Sequence, residues 1–242
     1  MATASAPQST SAAGTPAPFQ SYGLPLNDLW DLAYDGVSLL ALFDGQLVRL
    51  QSVEGENRFR ATEQQKGFAS AWALAWDAAK KQYWVIGRDV DLTGEFSLRD
   101  QAGAELTRFK APAEAVGIHL AWDGKYLWAA SGQKPIYKLT PNDATGTLDI
   151  VDSYGVELGH FPGEAVQGLV WAGDNLWTLS YGMLTKLDRS MKIVCREDLD
   201  TSFPSGASWW GTRGLAWDGA YLWAGHHDAN LVLRVDPALC KK

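Results

Sequence analysis

The sequence lacks several features that would place it in a common functional class. No apolar run approaches the roughly 18 residues that a membrane-spanning helix needs. Acidic residues outnumber basic ones, 28 to 21, and a net charge of −7 argues against the basic stripe with which proteins displace counterions from nucleic acid. The chain has no G-x-S-x-G motif, no glycine-rich phosphate loop and no cysteine with a suitable histidine partner. We therefore expect no nucleic-acid partner, no transmembrane span and no standard nucleophilic site.

Cysteine is scarce as well, since Cys195 and Cys240 are the only two and match no zinc or redox spacing. We expect buried free thiols, with a disulfide as the alternative if the chain is exported.

Residues 1–18 are rich in Ala, Ser, Thr and Pro and carry no charge, so they predict a disordered tail. The tail resembles the tether of a bacterial lipoprotein, which favours an extracytoplasmic, lipid-anchored protein; a plain disordered tail is the other interpretation.

Tryptophan, by contrast, is abundant, and one repeated phrase explains most of the 12 residues. Five versions follow one another: LAYDGVSLLAL, LAWDAAKKQYWVI, LAWDGKYLWAA, LVWAGDNLWTL and LAWDGAYLWAG. Their first aromatic residues, which we call the anchors, are Tyr34, Trp76, Trp122, Trp171 and Trp217. The anchors are separated by 42, 46, 49 and 46 residues, the period of a propeller blade.

Each phrase predicts the same local structure. An apolar strand ends at Asp-Gly, or at Ala-Gly in the fourth copy, where positive φ permits a tight hairpin. A second apolar strand follows, then an alternating third strand and a more polar fourth one. The fifth copy stops before its own fourth strand, while Phe19–Pro25 precedes the first copy without a partner. We therefore predict an all-β fold: a five-bladed β-propeller of residues 19–242 with four antiparallel strands per blade, closed where Ser21–Leu24 pairs beside Leu231–Val235.

The tryptophans divide into a structural set and a candidate set. Eight occupy strand positions of the repeats and are expected to fill the wedges between blades. The other four fall on the face formed by the loops before each first strand and between the second and third strands. With polar residues of the same loops they form the predicted ligand-binding site: Trp30, Trp72, His119, Gln167, Trp209, Trp210, Arg213, His226 and His227.

Two other interpretations of this face stay open. Trp30 and Trp72 could simply plug the central channel, and Arg213 could pair with a carboxylate such as Asp31. His226-His227-Asp228 offers metal-binding groups, but neighbouring residues of an extended chain point to opposite sides. Asp89 and Asp91 are too few in series for a calcium loop. We predict neither a metal nor a cofactor.

The repeats also resemble the five-bladed glutamine cyclotransferases, the plant and bacterial type of glutaminyl cyclase. The most specific match is VQGLVW from Val166, which is similar to the family's Thr-Gln-Gly-Leu signature at Gln167 and Gly168. The resemblance implies cyclisation of an N-terminal Gln to pyroglutamate by a Glu acid/base. At the position of that Glu this chain has Thr178, which cannot transfer a proton.

Two functions follow from these observations. The favoured one is a monomeric, non-catalytic propeller that binds a small polar molecule or an extended peptide on its aromatic face. The alternative is a cyclase-like enzyme with a relocated acid/base, for which Glu164, Asp31 and His119 are the candidates.

Overall fold

The computed structural model describes residues 19–43, 45–65, 68, 71–87, 95–115, 118–130, 135–158, 165–199 and 211–240. Within these ranges β1 is Phe19–Gly23, and β2 to β5 are Leu29–Tyr34, Leu39–Phe43, Gln46–Ser52 and Phe59–Gln65. Strands β6 to β9 are Ala71–Asp77, Gln82–Gly87, Glu95–Arg99 and Glu105–Lys110, and β10 to β13 are His119–Trp122, Leu127–Ala130, Ile136–Asn142 and Thr147–Tyr154. Strands β14 to β17 are Gly168–Ala172, Asn175–Ser180, Met183–Leu187 and Ile193–Asp198, and β18 to β20 are Thr212–Trp217, Leu222–His226 and Leu231–Val235. Short 3₁₀ turns lie at Ala113–Ala115 and Pro237–Leu239.

The strands form antiparallel meanders of four, as the repeats predict. Hydrogen bonds join them into three sheets of four strands and one sheet of eight. The eight-stranded sheet consists of β6–β9 and β10–β13, joined by a single parallel pairing of Lys110 with Thr147. The first strands of successive meanders contact one another in the series β2, β6, β10, β14, β18 and again β2. The protein is therefore an all-β molecule with the radial sheet arrangement of a β-propeller.

The first strands also surround a common space. A cavity of about 100 Å³ is lined by three residues from each of β2, β6, β10, β14 and β18, including every anchor. In the part of the chain that the structure describes, no helix is both long enough and apolar enough to cross a membrane.

The Asp-Gly turns show why the phrase is repeated. Asp123 Oδ1 accepts hydrogen bonds from the backbone N–H groups of Lys125 and Tyr126, and its Oδ2 accepts from the Trp128 indole at 2.8 Å. Asp218 does the same for the fifth copy, again with the indole five residues later. One carboxylate thus fixes the turn and orients the tryptophan of the next strand. In the second copy the loop is longer, and the Trp84 indole N–H has no hydrogen-bond partner among the described residues.

Tryptophans of neighbouring meanders pack against one another in the wedges between the sheets. The rings of Trp84 and Trp122 lie 5.6 Å apart, and those of Trp128 and Trp171 lie 5.2 Å apart, between centroids. Such aromatic pairs contribute about 0.5–1.5 kcal/mol each beyond the burial of their area. The wedge-filling role predicted for these repeat positions is therefore observed.

The N-terminal strand completes the last meander. Strand β1 pairs antiparallel with β20, from Phe19 opposite Val235 to Gly23 opposite Leu231. The Leu24 N–H extends the pairing by donating to the Asn230 carbonyl at 2.8 Å. This is the pairing that the unpartnered N-terminal segment predicts, and it leaves no unpaired edge on β20.

The prediction of free thiols was wrong. Cys195, on β17, and Cys240, after the last 3₁₀ turn, form a disulfide. Their Cα atoms are 5.7 Å apart, within the range that a disulfide requires. The separation of 45 residues in sequence hid this proximity, because only the packing of the last two meanders brings the strand and the C-terminal turn together.

Candidate functional site

A second cavity lies where the first strands begin, at the ends opposite to those that line the 100 Å³ cavity. It has a volume of about 200 Å³. Its lining contains the residue four positions before every anchor together with four neighbours: Trp30, Trp72, Ile118, His119, Ala165, Val166, Gln167, Tyr181 and Arg213. Five of the nine sequence-predicted site residues therefore line one space.

Trp30 and Trp72 enter this cavity from β-bulges. Each lies where the register with the second strand shifts, Trp30 between Leu29 and Asp31 and Trp72 between Ala71 and Ala73. A bulge turns the side chain of the extra residue away from the regular alternation of the strand. The two indole rings are parallel within 3°, with centroids 6.3 Å apart. The result is a half-buried aromatic wall formed by two neighbouring meanders.

His119 contributes an uncharged imidazole. The residue is 4% exposed, and its buried Nδ1 has no hydrogen-bond partner among the described residues. Burial, and after it the positive charge of Arg213, lowers the pKa of His119 to about 3. The ring is therefore neutral at physiological pH and offers one N–H donor and one nitrogen acceptor.

Gln167 joins two meanders at the edge of the cavity. Its Oε1 accepts hydrogen bonds from the Tyr181 N–H, at 2.8 Å, and from the Thr212 hydroxyl. Its backbone carbonyl accepts from the Gly214 N–H of β18 at 2.7 Å. Gln167 therefore holds the first strand of one meander against the next and also fixes the loop that carries Tyr181.

Tyr181 is a lining residue that the predicted site did not include. It occupies the first position of the two-residue loop between β15 and β16, with φ of +46°, and Gly182 follows with φ of +79°. Hairpin loops of this conformation favour Asn-Gly, because a large side chain at positive φ is strained. The sequence signal for this residue is the pair Tyr181-Gly182, which places a large side chain where such a hairpin loop favours Asn.

Arg213 supplies the positive charge of the lining. Its guanidinium donates to the Thr212 carbonyl at 3.0 Å and forms no ion pair with any described residue. Burial lowers its pKa, against the smaller effects of Tyr181 and Asp228. The suggested pairing with Asp31 does not occur: Asp31 is buried, its Oδ2 accepts from the Leu74 N–H at 2.9 Å, and burial raises its pKa to about 8.

Of the remaining candidates, His226 and His227 are described, and neither lines the cavity. His226 is fully buried, and its Nδ1 accepts from the Ala229 N–H at 3.1 Å. His227 packs edge-on against Trp30, with ring centroids 6.2 Å apart, outside the cavity lining. Trp209, Trp210, Glu164, Asp89 and Asp91 lie outside the described residues. Among the residues that are described, no three His, Cys, Asp or Glu side chains form a metal-binding group.

Comparisons with known proteins concern the fold alone. No protein-family model matches the chain, and no curated protein matches it. Among solved structures it is similar to the β-propeller domain of Cps50 (Swd1) from Myceliophteria thermophila, with 16% identity, a TM-score of 0.47, and 85% of this chain and 64% of that chain covered.

Two further solved structures are similar at the same level. A chain of the Mitotic Checkpoint Complex has 15% identity and a TM-score of 0.48, with coverage of 92% of this chain and 66% of that one. Virginiamycin B lyase from Staphylococcus aureus has 15% identity and a TM-score of 0.47, with coverage of 89% and 69%. The chain spans less than two thirds of the length of the first two structures. None of the three connects it with the glutamine cyclotransferases.

Proposed function

We propose that residues 19–242 form a single five-bladed propeller, each meander being one blade. Three features support this count: the contact series of the first strands returns from β18 to β2, all five first strands line one cavity, and β1 completes the last sheet. A closed ring of this kind places its variable loops around a central opening, where propellers bind their ligands.

We infer that the 200 Å³ cavity binds a small polar molecule or the end of an extended peptide, without catalysis. The observation that carries this function is the buried Nδ1 of His119, which has no hydrogen-bond partner among the residues that the structure describes. Each polar group left buried without a hydrogen bond costs about 1–3 kcal/mol, and a ligand that bonds to the ring would recover that cost. Pockets for drug-sized ligands have volumes of roughly 300–1,000 Å³, so this smaller cavity suits a ligand about the size of a single amino acid.

The aromatic pair supports binding more than plugging of the channel. If Trp30 and Trp72 served only to fill the channel, the packing would be expected to leave little space beside them. Instead a cavity remains, and polar side chains from three other blades converge on it: His119, Gln167 and Arg213.

Cyclase activity is the second candidate, and the raised pKa of Asp31, about 8, is the observation in its favour. A carboxyl that titrates near neutral pH suits acid/base catalysis. However, Asp31 does not line the cavity, and Thr178, at the position of the family's Glu, is fully buried in β15. Incubation with a Gln-initiated peptide tests this candidate, because cyclisation lowers the mass by one ammonia; turnover abolished by Asp31→Asn would replace our proposal with the enzyme.

The disulfide supports an extracytoplasmic location. Disulfides persist in oxidising compartments such as the periplasm and the cell surface. The bond between Cys195 and Cys240 therefore agrees with export, and a lipid tether through residues 1–18 remains a prediction.

Tryptophan fluorescence provides the direct test of binding. We expect a compound from a panel of N-acetyl amino acids and their amides to quench the emission, since two indoles form the cavity wall. Trp72→Ala combined with Arg213→Ala should abolish the quenching, and His119→Leu should weaken it. Tyr137→Ala, on β12 and outside the cavity lining, is the matched control. Absence of quenching by every compound, or unchanged affinity in the variants, would contradict the proposed site.

A further inference from the structure

The charge of the cavity restricts its ligand. Of the nine lining residues, Arg213 is the one with a permanent charge. It is half-buried, and no described carboxylate lies within ion-pair distance of its guanidinium. Asp228 acts on it only through space, and the Asp228 side chain is 57% exposed.

An arginine with a partly desolvated guanidinium is normally paired, because burial of an isolated charge is costly. Other arginines of this protein show the usual arrangement: Arg49 pairs with Asp35 and Glu63, and Arg99 pairs with Glu105. In the cavity the other eight lining residues are instead neutral, with aromatic, hydrogen-bonding or aliphatic side chains. Among the described residues the Arg213 guanidinium therefore has no ion-pair partner, and a negatively charged ligand in the cavity would supply one.

We propose that the ligand is a monocarboxylate with a flat apolar body, bound with its carboxylate on Arg213 and its body against Trp30 and Trp72. This inference rests on the proposed binding function and names its ligand class. The guanidinium has the planar fork that matches a carboxylate, and it supplies one positive charge for one negative charge. The neutral His119 imidazole adds a hydrogen bond without adding charge. The parallel indoles offer flat faces to an apolar group.

Three probes of similar shape but different charge test how the charge of a ligand affects its binding: phenylacetate, phenylacetamide and phenethylamine. Their affinities are measured by calorimetry and tryptophan quenching at low salt. We expect phenylacetate to bind about 10- to 100-fold more tightly than phenylacetamide, as a charge-assisted hydrogen bond predicts. Phenethylamine should bind least, because its ammonium faces the guanidinium.

Variants of the arginine complete the test. Arg213→Gln should bind phenylacetate and phenylacetamide equally, while Arg213→Lys should keep part of the preference because it keeps the charge. Arg234→Gln is the matched control, since Arg234 stacks on Tyr221 at 4.5 Å outside the cavity lining. Circular dichroism checks that each variant is folded.

The outcomes separate this inference from the function on which it rests. Equal binding of the acid and the amide, with no effect of Arg213→Gln, would overturn the carboxylate and leave the binding cavity standing. Preference for the amine would also overturn it. If none of the three probes binds, the proposed ligand class is contradicted, and quenching by the N-acetyl amino acid panel then decides whether the binding cavity stands.

Discussion

Replacing Asp31 with Asn should change how the stability of this protein depends on pH. Asp31 is 4% exposed in β2, and its Oδ2 accepts the Leu74 N–H from the neighbouring sheet. Burial raises the pKa of its carboxyl from 3.8 to about 8, against the smaller opposing effect of the hydrogen bonds from Leu74 and Leu32. The folded protein therefore keeps this carboxyl largely protonated at neutral pH.

The sign and size of the effect follow from proton linkage. Between pH 4 and 8 the unfolded chain has released this proton while the folded chain holds it, so the unfolded state binds fewer protons and stability falls as pH rises. The contribution is fully present below about pH 4 and is lost as pH approaches 8. At 1.36 kcal/mol for each pH unit, the loss between pH 5 and 8 is about 4 kcal/mol. Asp31→Asn keeps an oxygen for the Leu74 N–H but removes the titration.

Urea denaturation at pH 5, 6.5 and 8 measures this contribution. The free energy of unfolding of Asp31→Asn, relative to the unmodified protein, should rise by about 4 kcal/mol from pH 5 to pH 8. The lowered pKa of His119 makes stability fall as pH drops below 6.5, which is the opposite direction. Because both proteins contain His119, this contribution cancels in the difference between them. The exposed Asp143→Asn is the control and should show no such change. A difference that stays constant with pH would refute the buried, protonated carboxyl.

Three further predictions test other parts of the structure. Gly214→Ala should lower the free energy of unfolding by about 3 kcal/mol, because Gly214 has φ of +71° and a Cβ there would lie 2.8 Å from the Asp31 Cα. The control Gly219→Ala, at φ of +98° with open space, should lower it by about 1 kcal/mol. Equal losses in the two variants would contradict the close approach of β18 to β2. Replacing Cys195 and Cys240 together by Ser should lower the free energy of unfolding by about 4 kcal/mol, as expected for a loop closed over 45 residues; a reductant should destabilise the unmodified protein but not this variant, and insensitivity of both would argue against the bond. Nuclear magnetic resonance signals of the His119 ring, assigned with His119→Gln, should stay constant from pH 8 to 5, because the pKa is about 3; a midpoint near 6.5 would show that the imidazole is not buried as described.

The site could be predicted in part because the first strands are equivalent. Residues four positions before the anchors hold the same place in every repeat, so first strands that contact one another in series bring them together around one cavity. Trp30, Trp72, Gln167 and Arg213 were identified in this way. Tyr181 was missed because the Tyr181-Gly182 pair marks a hairpin loop at positive φ but does not by itself show that the tyrosine lines a cavity.

His226 shows the opposite case. It was included with His227 because the two are adjacent in a loop sequence, yet β19 extends through His226 and buries it. Adjacent residues at the end of a strand face opposite sides, so only one of the pair remained near Trp30.

Alternation, the Asp-Gly turns and the regular spacing of the anchors are local properties of the sequence, and they determined the strands, the hairpins and the pairing of Phe19–Gly23 with the last strand. Contacts between distant segments decided the rest: the disulfide between Cys195 and Cys240, the bulges that carry Trp30 and Trp72, and the place of Arg213 in the cavity lining, without an ion pair to any described residue. A strand is specified by its own residues, whereas a pKa, a cavity or a covalent cross-link depends on which other strand lies beside it. Which strands become neighbours is decided by the packing of the sheets in the tertiary structure.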